Sequence, residues 1–414
     1  VKRLHQINFN YKQIVLNPEG ILTRLYREAS THARLLRNCK LKDNPTILTN
    51  WRPNNYSLKV KLLYLAAAAL GKYLSKNYKR ILRFEEKSTS KISKKIVDKY
   101  SDDLKILNLK SIFITHQRVP GIMPICKAAK QLNITTVTAI FSWDNLPKAR
   151  LAVSTDLYLV WSQWMKDEMK DYYPEIHEKN VKLVGTPQFE FYLDENKVIS
   201  RQRFGEKHGL DLDKKWICFS GDDITTSPYD HLFLRDLAVS LNDQKDDLQI
   251  IFRRCPVDLS QRYDEVLNEY NNLIVSIDPI WNIESQTGWV GFFPKYEDIL
   301  MQVNLSYHCD MVINFGSTMA FDFAINNKPC LYLNYNPSKD IRWNTNTIYN
   351  FQHFRSMKGL NAVGWINGRD QILKTVLKTL KTPNEIAPDR KKWMETIVLH
   401  PLDTNSQNIA SAIL

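Results

Sequence analysis

Three short segments of this 414-residue sequence put small, hydroxylated or basic residues directly behind apolar runs. WICFS (216–220) is followed by Gly221, Asp222 and Asp223. QIIF (249–252) is followed by Arg253, Arg254, Cys255 and Pro256, and MVINF (311–315) by Gly316, Ser317 and Thr318. A Gly beside hydroxyls at a helix start turns backbone N–H groups and the helix dipole toward an anion, and Arg grips phosphate through two parallel donors. Ser220, Gly221, Arg253, Arg254, Gly316, Ser317 and Thr318 therefore read as one phosphate-binding set. Asp322 falls one helical turn beyond Thr318 on the same face, where a carboxylate can accept hydrogen bonds from ribose hydroxyls. The combination describes a nucleotide-diphosphate site. The plainer alternatives are a helix cap for Ser317 and Thr318, a surface ion pair for the arginines and a solvated helix position for Asp322.

The elements that must position these residues form a recognisable rhythm. From residue 111 onward, short β-branched runs alternate with helical segments: SIFIT (111–115), PICKAAKQL, TTVTAI (135–140), DLYLVW (156–161), SQWMKDEMKDYY and VKLVG (181–185). Continuous apolar strands separated by helices predict a parallel sheet covered on both faces. A polar stretch over 186–214 interrupts the rhythm, which resumes with WICFS, QIIFR, NLIVSI (272–277), MVINF and CLYLN (330–334). The expected fold class is α/β, two doubly wound Rossmann-like domains facing a central cleft. The expected boundaries are 1–195 for a basic N-terminal domain, 196–385 for a nucleotide-binding domain, and 386–414 for a C-terminal helix that packs back on the first domain. In open parallel sheets ligands bind outside the carboxyl ends of the strands, which is where the residues above fall. The first hundred residues offer only PTILT (45–49) as a strand. Val60 to Phe84 reads as one long basic helix whose Leu62, Leu63, Leu65, Leu70, Tyr73, Leu74 and Ile81 favour core packing, with a membrane-surface helix as the alternative.

Strand, GST, an apolar helix carrying an acid and then NNKPCLYLN resembles the nucleotide-binding half of GT-B glycosyltransferases, and STMAFDFAINNKP is similar to a segment of CDP-glycerol glycerophosphotransferases. The resemblance spans residues 111–335. FRRCPVD (252–258) departs from the Arg-Pro-His-Pro element frequent in related bacterial proteins: Cys255 stands where the His would be, so no role of that His carries over. ITHQRVPG (114–121) and IFSWDNLPKAR (140–150) follow strands of the first domain, and SWDN looks like a segment of bacterial surface-polysaccharide transferases of this fold. Such a resemblance implies an inverting glycosyl transfer, which needs a base to take the acceptor proton. Asp144 is the expected base and His116 the expected partner for acceptor or donor phosphate, with Arg118, Trp143 and Asn145 as acceptor-binding residues. A strand-end His and a structural turn are the plainer alternatives. Gly185, Thr186, Pro187 and Gln188 read as a structural turn, and Trp161, Trp164, Tyr172 and Tyr173 as core.

No metal and no cofactor are expected, because GT-B enzymes neutralise a leaving diphosphate with helix dipoles and basic side chains. The six cysteines are never closer than 21 residues, so no CxxC motif exists. The net charge is +13, yet residues 1–110 alone carry 24 Lys and Arg against 8 Asp and Glu. That imbalance predicts an anionic partner, with peripheral contact between residues 1–110 and the inner face of an anionic membrane as one expectation beside a cytoplasmic location. No nucleic acid is expected, since no base-reading motif interleaves aromatics with the basic residues. The leading expectation is a metal-independent transferase moving a sugar from a nucleotide-sugar donor to a glycan or lipid-linked acceptor. A CDP-glycerol-type glycerophosphotransferase, a hydrolysing nucleotide-sugar epimerase and a non-catalytic basic polyanion-binding protein are the rivals.

Overall fold

The computed structural model describes residues 19–51, 57–115, 117, 119–148, 151, 154–284, 291–340 and 343–414. The chain divides into two compact units, one of residues 1–160, 166–182 and 412–414, the other of residues 161–165 and 183–411.

The first unit begins with helices α1 (Ile21–Lys42), α2 (Leu58–Leu74), α3 (Tyr78–Ser90) and α4 (Lys94–Leu107). Ala29, Ala33, Ala67, Leu74 and Ile81 form the core between the first three. Gly71 is required there: a Cβ would lie 2.7 Å from His32 Nδ1 and 2.9 Å from the Ala29 carbonyl oxygen. The long helix expected over 60–84 is two, because the Asn77 side chain accepts from Lys79 N and starts a new helix. Leu62, Leu65 and Tyr73, expected in the core, are exposed. PTILT is a 3₁₀ turn rather than a strand: Pro45 opens it and Asn44 Oδ1 caps Thr46 N at 3.1 Å. A buried Arg34 ties this layer together, donating to both carboxylate oxygens of Glu85 at 2.6 and 2.8 Å, to Glu175 at 2.5 Å and to Tyr78 Oη at 2.8 Å.

The sheet of the first unit has the order β1 (Ser111–Ile114), β2 (Thr135–Ala139), β3 (Leu157–Val160), β4 (Val181–Leu183), with parallel pairing from β1 through β3. Helices α5 (Met123–Gln131), α6 (Asn145–Lys148) and α7 (Gln163–Tyr172) stand between the strands. Of the four aromatics expected in the core, Trp161, Tyr172 and Tyr173 are buried, and Trp164 is half-buried.

In the second unit, β5 (Lys215–Ser220), β6 (Leu248–Arg253), β7 (Ile274–Ser276), β10 (Met311–Asn314), β11 (Cys330–Leu333) and β12 (Gly364–Ile366) form a parallel sheet in the order β12-β11-β10-β5-β6-β7. The chain starts at the centre, winds outward through β6 and β7, then returns to β10 on the other side of β5. The strands β6, β10 and β11 are buried along their whole length and β5 from Trp216 onward, and most of their residues are apolar, which is what coverage on both faces demands. The polar interruption contains α8 (Arg201–His208); α9 (Asp230–Leu241) and α10 (Asp264–Glu269) follow β5 and β6. A short antiparallel hairpin, β8 (Trp281–Ile283) with β9 (Phe292–Pro294), precedes α11 (Tyr296–His308), and α12 (Met319–Ile325) links β10 to β11. Beyond β11 come α13 (Thr345–Tyr349), α14 (Ile372–Lys381), α15 (Arg390–Ile397) and α16 (Asn405–Ile413). The expected single C-terminal helix is thus two.

Candidate functional site

The reversal of strand order in the second sheet falls between β5 and β10, and a topological switch point is where an open parallel sheet leaves a crevice at its carboxyl edge. Register places the strand-end residues in one row: Arg253 beside Ser220, Ser220 beside Asn314, and Asn314 beside Tyr332. The phosphate-binding set read from the sequence therefore converges at one edge of one sheet.

Within the 314–318 loop, Asn314 Oδ1 accepts from Ser317 N at 2.9 Å, and Ser317 Oγ accepts from Met319 N at 3.3 Å. Gly316 has φ +73°, and a Cβ on it would lie 2.9 Å from the Phe354 ring. The Gly is thus needed twice, for its left-handed backbone and for the closeness of Phe354. Asn314 was not singled out by its sequence context, although an Asn ending a strand before a Gly is a usual way to fold a loop back on itself. Ser317 is half-buried and Thr318 exposed.

On the other side, Gly221 N donates to the Arg253 carbonyl at 2.8 Å, and Asp222 N to Asp230 Oδ2 at 3.1 Å. Asp230 is fully buried and also accepts from Tyr263 Oη and Ser227 Oγ at 2.8 and 3.0 Å. Burial raises its pKa to about 6, against the opposing pull of the Arg262 guanidinium and these hydrogen bonds. Arg262 braces the same loop, donating to the carbonyls of Asp222 and Ser227 and to Asp258. None of Asp230, Asp258, Arg262 or Tyr263 is identifiable from sequence spacing, because they act through folding distances rather than motif positions.

The two adjacent arginines separate. Arg253 is 5% exposed and directs Nη2 to both oxygens of Asp298 at 2.8 Å. Asp298 also accepts from Ile280 N and Trp281 Nε1 at 2.7 and 2.6 Å. Arg253 Nη1 is buried and makes no hydrogen bond among the described residues. Arg254 lies over the Tyr263 ring and donates to the Ser260 carbonyl at 2.6 Å. The two side chains therefore do not form a joint clamp.

Asp322 is buried on α12 and accepts a hydrogen bond from Tyr192. Burial raises its pKa to about 6, while the hydrogen bonds from Tyr192 and Gln302 pull it down. The Tyr192 hydroxyl is itself held protonated, first by burial and then by the Asp322 charge.

In the first unit, Trp143 and Asn145 are buried and Asp144 is half-buried in the turn after β2. Asn145 Nδ2 donates to Asp144 Oδ1 at 3.0 Å, Gln117 Nε2 donates to Asn145 Oδ1 at 3.1 Å, and Phe141 N donates to Gln117 Oε1 at 3.3 Å. Gln117 thus links the loops after β1 and β2, a role its place in THQR does not announce. His116 and Arg118 lie outside the described residues. In the second unit, Gly185, with φ +79°, sits against Asn405, whose Nδ2 donates to the Thr186 carbonyl at 3.2 Å, so this turn has a structural explanation.

No known protein family and no curated protein matches the sequence. Among solved structures, a UDP-N-acetylglucosamine 2-epimerase assigned to Listeria monocytogenes aligns over 78% of this chain and 79% of its own, with 11% identity and a TM-score of 0.51. The S. aureus MnaA–UDP structure aligns over 78% and 80%, with 13% identity and a TM-score of 0.50. A further UDP-N-acetylglucosamine 2-epimerase covers 80% and 77% at 12% identity, again with a TM-score of 0.50. Identities this low carry fold and nothing finer: the chain has the Rossmann-like, GT-B-type α/β fold of these enzymes.

Proposed function

We propose that the chain is an enzyme acting on a nucleotide sugar, that the second unit holds the nucleotide at the β5/β10 switch point, and that it transfers the sugar to a glycan or lipid-linked acceptor in cell-surface polysaccharide synthesis. The observation that carries this reading is Arg253: a buried guanidinium beside the switch point with one arm neutralised by Asp298 and the other without a protein hydrogen bond among the described residues. A buried donor costs about 1 to 3 kcal/mol if left unmade, and an anionic ligand is what such an arm satisfies. UDP in the S. aureus MnaA structure supports a nucleotide on this fold.

In the proposed mechanism the acceptor hydroxyl attacks C1 of the sugar, its proton passes to Asp144, and the C1–O bond to the diphosphate breaks with the electron pair leaving on the nucleotide. Arg253 Nη1, the hydroxyls of Ser317 and Thr318 and the backbone amides of the Gly316 loop stabilise that leaving charge without a metal. Tyr192 and Asp322 position α12 behind the loop.

Thermal stabilisation against UDP, GDP, CMP, CDP and their conjugates tests the binding half, since a ligand at 100 times its Kd adds about 2.7 kcal/mol. If none of them shifts the melting temperature, the nucleotide site is wrong. Turnover with the stabilising donor then assigns the reaction: sugar transfer to an acceptor supports the proposal, CMP release from CDP-glycerol identifies a glycerophosphotransferase, and conversion of the sugar without acceptor identifies an epimerase. Steeply salt-dependent RNA binding with no nucleotide-sugar binding would identify a polyanion-binding protein. Asp144→Asn is expected to keep nucleotide stabilisation and lose at least roughly 100-fold in turnover; normal turnover in that variant removes Asp144 as the base.

A further inference from the structure

Helix α2 is apolar on two opposite sides. Leu63, Tyr64, Ala67, Gly71 and Leu74 turn inward and are buried. Leu58, Leu62, Leu65 and Tyr73 turn outward and are 72%, 56%, 59% and 52% exposed, with exposed Ala66 and Ala69 between them. At 3.6 residues per turn these six positions share one sector about 100° wide along the whole helix, roughly 25 Å long. A helix apolar all round is ordinarily buried all round. This one is buried on only half its circumference.

The charges mark the two seams of the exposed sector. Lys59 stands on one edge, and Lys61 and Lys72 on the other, all exposed. Residues 57–84 carry seven Lys and Arg and no Asp or Glu. A second copy of the chain docked on this face would bring lysines against lysines with no acid on the helix to answer them. A surface that is apolar in its depth and anionic at its rim answers both features.

We propose that the outward face of α2 docks on an anionic lipid bilayer, with Leu58, Leu62, Leu65 and Tyr73 among the acyl chains and Lys59, Lys61 and Lys72 at the phosphate headgroups. The helix lies in the interface plane; among the described residues no helix is long and apolar enough to cross a membrane. The docking stands independently of the enzymatic reading, because it is measured without a substrate.

The test is co-sedimentation of the full chain with phosphatidylcholine vesicles and with vesicles of phosphatidylcholine and phosphatidylglycerol in equal parts. Binding to the anionic vesicles, weakened by salt and roughly tenfold or more by Leu62→Gln together with Leu65→Gln, is the expected result. Lys59→Glu with Lys61→Glu should weaken it as well, and both variants should keep the wild-type melting temperature because the changed side chains are exposed. A Leu65→Cys chain carrying an environment-sensitive fluorophore should shift to the blue on anionic vesicles, a readout that survives if the glutamine variant folds poorly. No sedimentation with anionic vesicles, equal binding by the Leu62→Gln, Leu65→Gln chain, or no shift of the fluorophore overturns the proposal. A wild-type dimer that becomes monomeric in the leucine variant without any vesicle binding would assign the face to a second copy instead.

Discussion

Arg253 and Asp322 are both buried beside the carboxyl ends of central strands, yet the fold treats their charges differently. Arg253 pairs with Asp298 and has a spare donor arm. Arg253→Lys retains the cation and removes the planar second arm. It is expected to weaken nucleotide binding by roughly tenfold or more, read as a reduced ligand-induced rise in melting temperature, while the ligand-free protein melts within a few degrees of wild type. Asp322 instead holds a proton more tightly when folded, with a pKa of about 6 against an unfolded value of 3.8. The folded state therefore binds more protons in that window, so this group's contribution to stability falls as the pH rises from about 4 through 6 and the loss is complete above it. Asp322→Asn keeps an acceptor for Tyr192 and removes the ionisation. Relative to wild type it should gain stability at about pH 8 but not at about pH 4, by up to about 3 kcal/mol. Urea unfolding at the two pH values reads this directly, and an equal effect at both would show that Asp322 does not titrate as described.

The loops that follow β5 and β10 depend on backbone shape as much as on side chains. Gly316→Ala must adopt a positive φ and push a methyl against Phe354. A loss of about 1 to 3 kcal/mol is expected, together with weakened nucleotide binding, because Ser317 and Thr318 would move with the loop. A variant with wild-type stability and binding would show that the loop relaxes freely. These loops were legible because each strand before them is a continuous apolar run bounded by Gly or Arg, a pattern with few alternatives in a doubly covered sheet. The N-terminal helices were less legible for an equally local reason. Asn44 and Asn77 spend their side chains on caps, turning a β-branched run into a 3₁₀ turn and one helix into two. The Asp230, Arg262 and Asp258 brace was invisible because its partners come from segments on different strands' loops. Similarly, the periodicity that marks α2 as apolar could not say which of its two apolar faces the protein covers.

At the scale of the whole molecule, the two units rest on different kinds of interior. The helical layer of the first is tied by one buried cation, Arg34, which serves two carboxylates and a tyrosine. Arg34→Ala leaves Glu85 and Glu175 without their shared partner and is expected to cost about 3 to 5 kcal/mol, measurable by chemical denaturation. A change below about 1 kcal/mol would mean that the carboxylates relax into water. The second unit rests on an apolar sheet whose strand order is also a timetable. β5 leaves the ribosome some ninety residues ahead of β10, so at ordinary rates of synthesis it waits about 5 to 20 seconds with its inner edge unpaired. During that interval β6 and β7 can join it from the other side, but the Gly221 loop has no Gly316 loop to face. The proposed nucleotide site is therefore among the last features of this unit to come into existence, and a nascent chain arrested before residue 311 should bind no nucleotide while presenting a buried-type strand edge to chaperones.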